Sequence, residues 1–132
     1  MANLSALKAG GVPSTFTGYT TLSAADGDVA VTGVGFKPTW IRIVGLYDNG
    51  SPTSNIIVAA GYKNSGSVKQ NSRTYKVSDG AIYNSVGTNL YYSYNQTAAL
   101  ASGDIKTFDA DGFTIDKVAY AFACDIHWIV GR

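Results

Sequence analysis

Gly35-Phe36-Lys37-Pro38-Thr39-Trp40-Ile41-Arg42-Ile43 is a proline-punctuated turn that launches a strand. Phe108-Asp109-Ala110-Asp111-Gly112-Phe113-Thr114-Ile115, much later in the chain, is a tight Asp-Gly turn between two β-type segments. Asp and Gly tolerate the positive φ that a two-residue hairpin demands. Together the two phrases read as the opening and closing strands of one all-β domain. None of their residues forms a recognisable catalytic motif, so they point to binding or assembly.

Working outward, Trp40 to Tyr47 divides into Trp40/Arg42/Val44/Leu46 and Ile41/Ile43/Gly45/Tyr47. Both sets are apolar except for Arg42, which predicts a central strand covered on both faces. Ile56 to Tyr62 predicts another buried strand, and residues 63–70 a polar loop. Arg73 to Tyr83 reads as a hairpin about Asp79-Gly80. Leu90 to Tyr94 is a strand with tyrosines on both faces, and Ala-rich Thr97 to Ser102 is a short helical turn or a loop. Val118 to Val130 reads as one long strand. Its faces are Val118/Tyr120/Phe122/Cys124/Ile126/Trp128/Val130 and Ala119/Ala121/Ala123/Asp125/His127/Ile129. Short strands separated by regular turn signals predict an all-β, antiparallel β-sandwich with a jelly-roll-like arrangement over residues 19–132. Residues 1–18 lack any period and carry Gly10-Gly11 and Pro13, which predicts an extended N-terminal arm.

The 132 residues fit one domain. The acidic residues are all Asp, with no Glu, and the composition is rich in Gly and Tyr, which suits strands and turns over helices. A net charge of +1 argues against direct nucleic-acid binding, which needs a basic excess on one face. No stretch is long and apolar enough for a membrane helix, and the N-terminus has no signal-peptide core, so the expectation is a protein made in the cytoplasm. Cys124 is the single cysteine and precludes an internal disulfide.

Three groupings merit a chemical reading. Asp109-Ala110-Asp111-Gly112 resembles a fragment of a calcium loop but lacks the further oxygen ligands and the closing Glu, so it reads as a turn. Asp26 and Asp28 about Gly27 read the same way. Cys124 and His127 could be a thiol and its base, but an offset of three places them on opposite faces of a strand. Asp125 and His127 do share a face, without the serine motif that would make them catalytic. The chain therefore reads as no enzyme, with no cofactor and no metal. The candidate contact residues are Leu4, Leu7, Val12, Pro13 and Phe16 on the arm, Tyr91, Tyr92 and Tyr94 in the tyrosine-rich strand, and His127 and Trp128 near the C-terminus. Tyr dominates protein interfaces and can also stack on sugars.

The order of these features resembles small all-β domains of tailed-bacteriophage virion proteins. It runs from a Tyr19-Thr20-Thr21 opening through Gly35-Phe36-Lys37-Pro38 and Asp111-Gly112-Phe113-Thr114-Ile115 to Val118-Ala119-Tyr120-Ala121-Phe122. Such domains occur in capsid decoration proteins, fibres and tail tips. Gly-Phe-x-Pro also resembles a phrase of six-stranded H-type lectin domains, although their distal sugar-site residues are not recognisable here. The resemblance implies a homo-oligomeric decoration or cement protein of the virion, assembled in the host cytoplasm. Its partners would be the major capsid protein or other virion proteins, with the arm as tether. The alternative it implies is a tail-fibre or tail-tip module that binds a host-surface glycan.

Overall fold

The computed structural model describes residues 14–23, 26–47, 55–64, 67–76, 80–86, 91–94, 99–118 and 124–132. Ten strands follow one another: β1 (Thr15–Leu22), β2 (Gly27–Val31), β3 (Trp40–Tyr47), β4 (Asn55–Asn64), β5 (Ser67–Lys76), β6 (Ile82–Val86), β7 (Tyr91–Tyr94), β8 (Ala99–Asp109), β9 (Gly112–Val118) and β10 (Cys124–Gly131). They form two antiparallel sheets. One has six strands in the order β1-β10-β3-β4-β5-β6, the other four in the order β2-β9-β8-β7. The fold is all-β and sandwich-like.

Period-two alternation builds the core. The inner face of the six-stranded sheet contributes Leu22, Ile41, Ile43, Ile57, Ile126 and Trp128, and the four-stranded sheet supplies Ile105, Phe108, Phe113 and Ile115. Val34 and Phe36, from the connection between β2 and β3, join the same cluster. Trp128 lies over Gly18, its register partner on β1, where an added Cβ would run into the indole. Its ring packs edge-on against Phe113 at 5.2 Å, and its Nε1 donates to Thr20 Oγ1 at 3.0 Å.

The two phrases that decide the fold meet in space. The Asp111 carboxylate accepts from Gly33 N at 3.0 Å and from Gly35 N at 2.5 Å, and Val34 N donates to the Asp111 carbonyl at 3.2 Å. Gly33 and Gly35 hold φ near 83° and 82°, in the left-handed region that glycine enters without a Cβ penalty. This knot aims Val34 and Phe36 into the core.

Several expectations are corrected. β3 is central, flanked by β10 and β4, but only its Ile41/Ile43/Gly45 side is buried. The four-stranded sheet covers one face of the larger sheet, and no described residue covers the other. The run from Val118 to Val130 is not one strand. β9 ends at Val118 in the small sheet and β10 starts at Cys124 in the large one, so the chain changes sheets between them. The small-residue face at Ala119, Ala121 and Ala123 lies outside the described residues.

The described part of residues 63–70 is strand, in place of the expected loop. β4 continues to Asn64 and pairs back on β5 from Ser67, and polar residues suffice there because the outward side chains meet water. Ala99 to Ser102 belongs to β8, where pairing with β7 overrides the helix preference of alanine. β5 pairs back on β6, with Tyr75 opposite Ile82; Asp79 of the expected Asp79-Gly80 turn lies outside the described residues, and the Asp109–Gly112 turn joins β8 to β9. The expected boundary at residue 18 falls inside β1. Thr15 to Gly18 pair with β10 from Gly131 to Trp128, and so belong to the sheet. Residues 1–13 lie outside the described residues.

Candidate functional site

Among the described residues, exposed apolar, aromatic and charged side chains gather on the outer face of the six-stranded sheet. Register sets them in rows across the strands. One row runs Tyr19, His127, Val44, Val58, Arg73, Asn84; the next toward one end runs Thr17, Ile129, Arg42, Ala60, Asn71. Beyond it lie Trp40 and Tyr62, and on the other side Ile56, Tyr75 and Ile82 stand side by side. Val44 is 55% exposed and Val58 54%, in the two middle strands of the sheet. Their chain neighbours Ile43 and Ile57 are 1% and 0% exposed. A valine left half exposed in mid-sheet forgoes about half of the roughly 1.5 kcal/mol or more that full burial contributes.

Long side chains stand up around these valines and make two shallow depressions. One, of about 930 Å³, spans β3 to β6 with Arg42, Asn71, Arg73 and Asn84 around Val44 and Val58. The other spans β1, β10 and β3, between Tyr19, His127, Ile129 and Arg42. Both are open, which suits the side chains of a facing surface better than an enclosed small molecule. Arg42 lies on the ridge between them.

Local contacts fix the polar groups. Arg73 Nε donates to Asn84 Oδ1 at 3.0 Å, which leaves its two terminal nitrogens directed elsewhere. The Tyr19 and His127 rings pack at 5.0 Å. Thr21 Oγ1 donates to Asp125 Oδ1 at 2.7 Å. Hydrogen bonds from Thr21 and then from Tyr19 hold the Asp125 carboxyl below the usual carboxylate range.

The candidate residues read from the sequence distribute unevenly. His127 lies on this face, exposed. Trp128 lies in the core at 6% exposure, so its ring is not part of a free surface of this chain. Phe16, 40% exposed, stacks on Trp128 at 6.1 Å at the margin of the core. Tyr91, Tyr92 and Tyr94 are in β7, the edge strand of the smaller sheet, away from this face. Leu4, Leu7, Val12 and Pro13 lie outside the described residues.

The chemical groupings fall to structural duties. Asp111 holds the glycine knot, and Asp109 accepts from Thr114 Oγ1 at 2.8 Å. Among the described residues no three His, Cys or acidic side chains are placed to hold a metal ion. Cys124 points into the core and His127 out of it, so they do not meet. Burial pushes the Cys124 thiol up to about 12, with Asp125 adding to the effect. Lys117, also buried, donates to the Ser23 carbonyl.

Arg42, Arg73, Val44 and Val58 were missed as site residues. The signal was Arg42 itself: a charge inside an apolar run marks the side of the strand that is not core. No protein-family model, curated protein or solved structure matches this chain.

Proposed function

We propose that this chain is a non-enzymatic structural protein of a tailed-phage particle, a head decoration or cement subunit that oligomerises and clamps capsid subunits. The observation that carries the reading is the exposed apolar centre of the six-stranded sheet, at Val44, Ile56 and Val58. Exposed patches of this kind mark surfaces that another macromolecule covers. The virion assignment is supported by the phage-like phrases at Gly35-Phe36-Lys37-Pro38 and Asp111-Gly112-Phe113-Thr114-Ile115. The pairing of β1 with β10 and of β2 with β9 supports the jelly-roll-like description, whereas β3 to β6 run in simple hairpin order.

In this reading the residues before β1 are the tether to a neighbouring subunit. Co-sedimentation with separated phage heads and tails tests it. The full chain should pellet with heads. A chain lacking residues 1–13 keeps all of β1, should remain folded by circular dichroism, and should lose head binding. A chain lacking 1–18 also removes Phe16 and Gly18 from beside Trp128 and should lose stability as well. Absence of head binding by the full chain would overturn the reading.

A second reading, a carbohydrate-binding module of a tail fibre or tip, draws on the exposed Tyr62 ring of β4 near Asn71 of β5, and on the exposed Tyr19 ring at the β1 edge of the same open face. Binding to tails but not heads, with signal on a glycan array, would favour it.

A further inference from the structure

We propose that the outer face of the six-stranded sheet is an isologous contact, on which a second copy of this chain packs face to face about a two-fold axis running along the strands between β3 and β4. The proposal rests on the assembly reading above and names the partner of that surface.

The order of side chains across the sheet carries it. A two-fold axis in that position lays β3 over β4 of the second copy, β10 over β5, and β1 over β6. Because the rows are in register, their members then meet in defined pairs. Val44 faces Val58, Trp40 faces Tyr62, and the Tyr19–His127 ring pair faces the hydrogen-bonded Arg73–Asn84 pair. Rings over a planar guanidinium–amide array make a stacking contact as well as an apolar one. The ring pair of each copy enters the depression between β3 and β6 of the other. The same contact therefore forms twice, once in each direction. A self-complementary surface is what a two-fold contact requires.

Charge agrees with this arrangement. On each copy Asp125 lies on β10 and Arg73 on β5, the two strands the axis superposes. With sheets about 10 Å apart and a two-residue offset of about 7 Å, their Cα atoms come about 12 Å apart, within reach of an extended Arg. Two such pairs form per dimer. Arg42 is the one mismatch. It lies next to the axis, opposite Ala60 and close to its own symmetry mate.

The size is sufficient but small. Six strands span about 24 Å between the outermost two and the shared rows about 20 Å along the strands, which gives roughly 500 Å² per copy. The total of about 1,000 Å² stands at the lower limit of specific interfaces, so the association should be weak and concentration-dependent.

Sedimentation velocity of the full chain over about 1–300 μM, where weak interfaces of this size associate, tests the proposal. The expected result is a concentration-dependent monomer–dimer equilibrium. V58D, at a half-exposed position, should weaken it at least about tenfold while the chain stays folded by circular dichroism. D125R and R73D should each weaken it, and the double exchange should recover most of the loss. R42M should tighten it, because a like-charge approach is removed. A chain that stays monomeric throughout, a dimer indifferent to V58D, or an association weakened by R42M would each overturn it, the last by showing that Arg42 sits in a favourable contact which this two-fold arrangement does not provide. Head binding by the monomeric V58D chain would leave the assembly function standing while locating its contact elsewhere.

Discussion

β3 and β4 present nearly the same side chains to opposite sides with opposite outcomes. Ile43 and Ile57 face the small sheet and are fully buried; Val44 and Val58, one residue on, are more than half exposed. Hydropathy along the chain does not distinguish the two sets. What distinguishes them is supply: four strands cover one face of a six-stranded sheet, and no described residue covers the other. The inner set holds the fold together, and the outer set is free to serve a contact.

Paired truncations offer the largest test. Ile57→Ala should cost about 2–5 kcal/mol, the transfer term plus the cavity left in a packed core. Val58→Ala should cost less than about 0.5 kcal/mol in the isolated chain. Urea denaturation at a concentration where the chain is monomeric measures both. Equal costs would mean that the outer face is covered within one chain, and the comparison would collapse.

That same contrast marks what was legible in the sequence. The apolar run at Trp40–Tyr47, the Asp-Gly turn signals at 79–80 and 111–112 and the absence of Glu were enough for an antiparallel all-β fold, because each is a local property of the chain. Arg42 marks which face of β3 is not core, but that this face stays uncovered is not local; it depends on how many strands end up in each sheet. The same cause split the Val118–Val130 run, since an apolar run reads alike whether it continues in one sheet or crosses to the other. Asp109 and Asp111 were correctly read as turn residues. The clasp of Asp111 on Gly33 and Gly35 was not legible, because it joins segments far apart in sequence. Of the candidate contacts, His127 was placed on the open face by its offset from Cys124. Trp128 has the residue type of an interface anchor, and only its packing over Gly18 reveals it as core.

That packing sharpens the comparison on the inner side. A Cβ at position 18 would collide with the Trp128 ring, so Gly18→Ala must push the indole out of its place between Phe16 and Phe113. The expected cost is about 1–3 kcal/mol, the usual range for overpacking, with a shift in tryptophan fluorescence as Trp128 gains solvent. An unchanged emission maximum would mean that the strand moves instead of the ring.

Asp111→Ala comes next. It leaves the Gly33 and Gly35 amides without their acceptor at a connection whose side chains Val34 and Phe36 are core. Water can reach these exposed amides, so the loss should be about 1–2 kcal/mol, and amide exchange at Gly33 and Gly35 should accelerate before the rest of the sheet. Asp111→Asn, which keeps one acceptor oxygen, should retain part of the stability. If both variants match the wild type, the knot follows the sheet and does not support it.

The smallest effect compares two adjacent residues. Cys124 faces in and is kept neutral by burial, its thiol raised to about 12; Asp125 faces out and is kept charged by its hydrogen bonds. The unfolded chain releases the Cys124 proton near the ordinary value of 9.0, while the folded chain holds it until about 12. Unfolding is therefore favoured increasingly as pH rises through this window, and nothing is lost below it. Lys117 acts in the opposite sense. Burial lowers its value from 10.5, so the folded state carries a penalty while the amine is charged. That penalty fades as pH rises through the lowered folded value toward 10.5. The two groups influence one another, and their slopes partly cancel in the wild type. Cys124→Ala should therefore gain stability relative to wild type between pH 8 and 10, by roughly 1 kcal/mol, and Lys117→Met should lose it over the same interval. Urea midpoints at the two pH values measure both differences. Parallel slopes in all three proteins would mean that water reaches both groups in the folded state, and that the inner face is less dry near β10 than its packing implies.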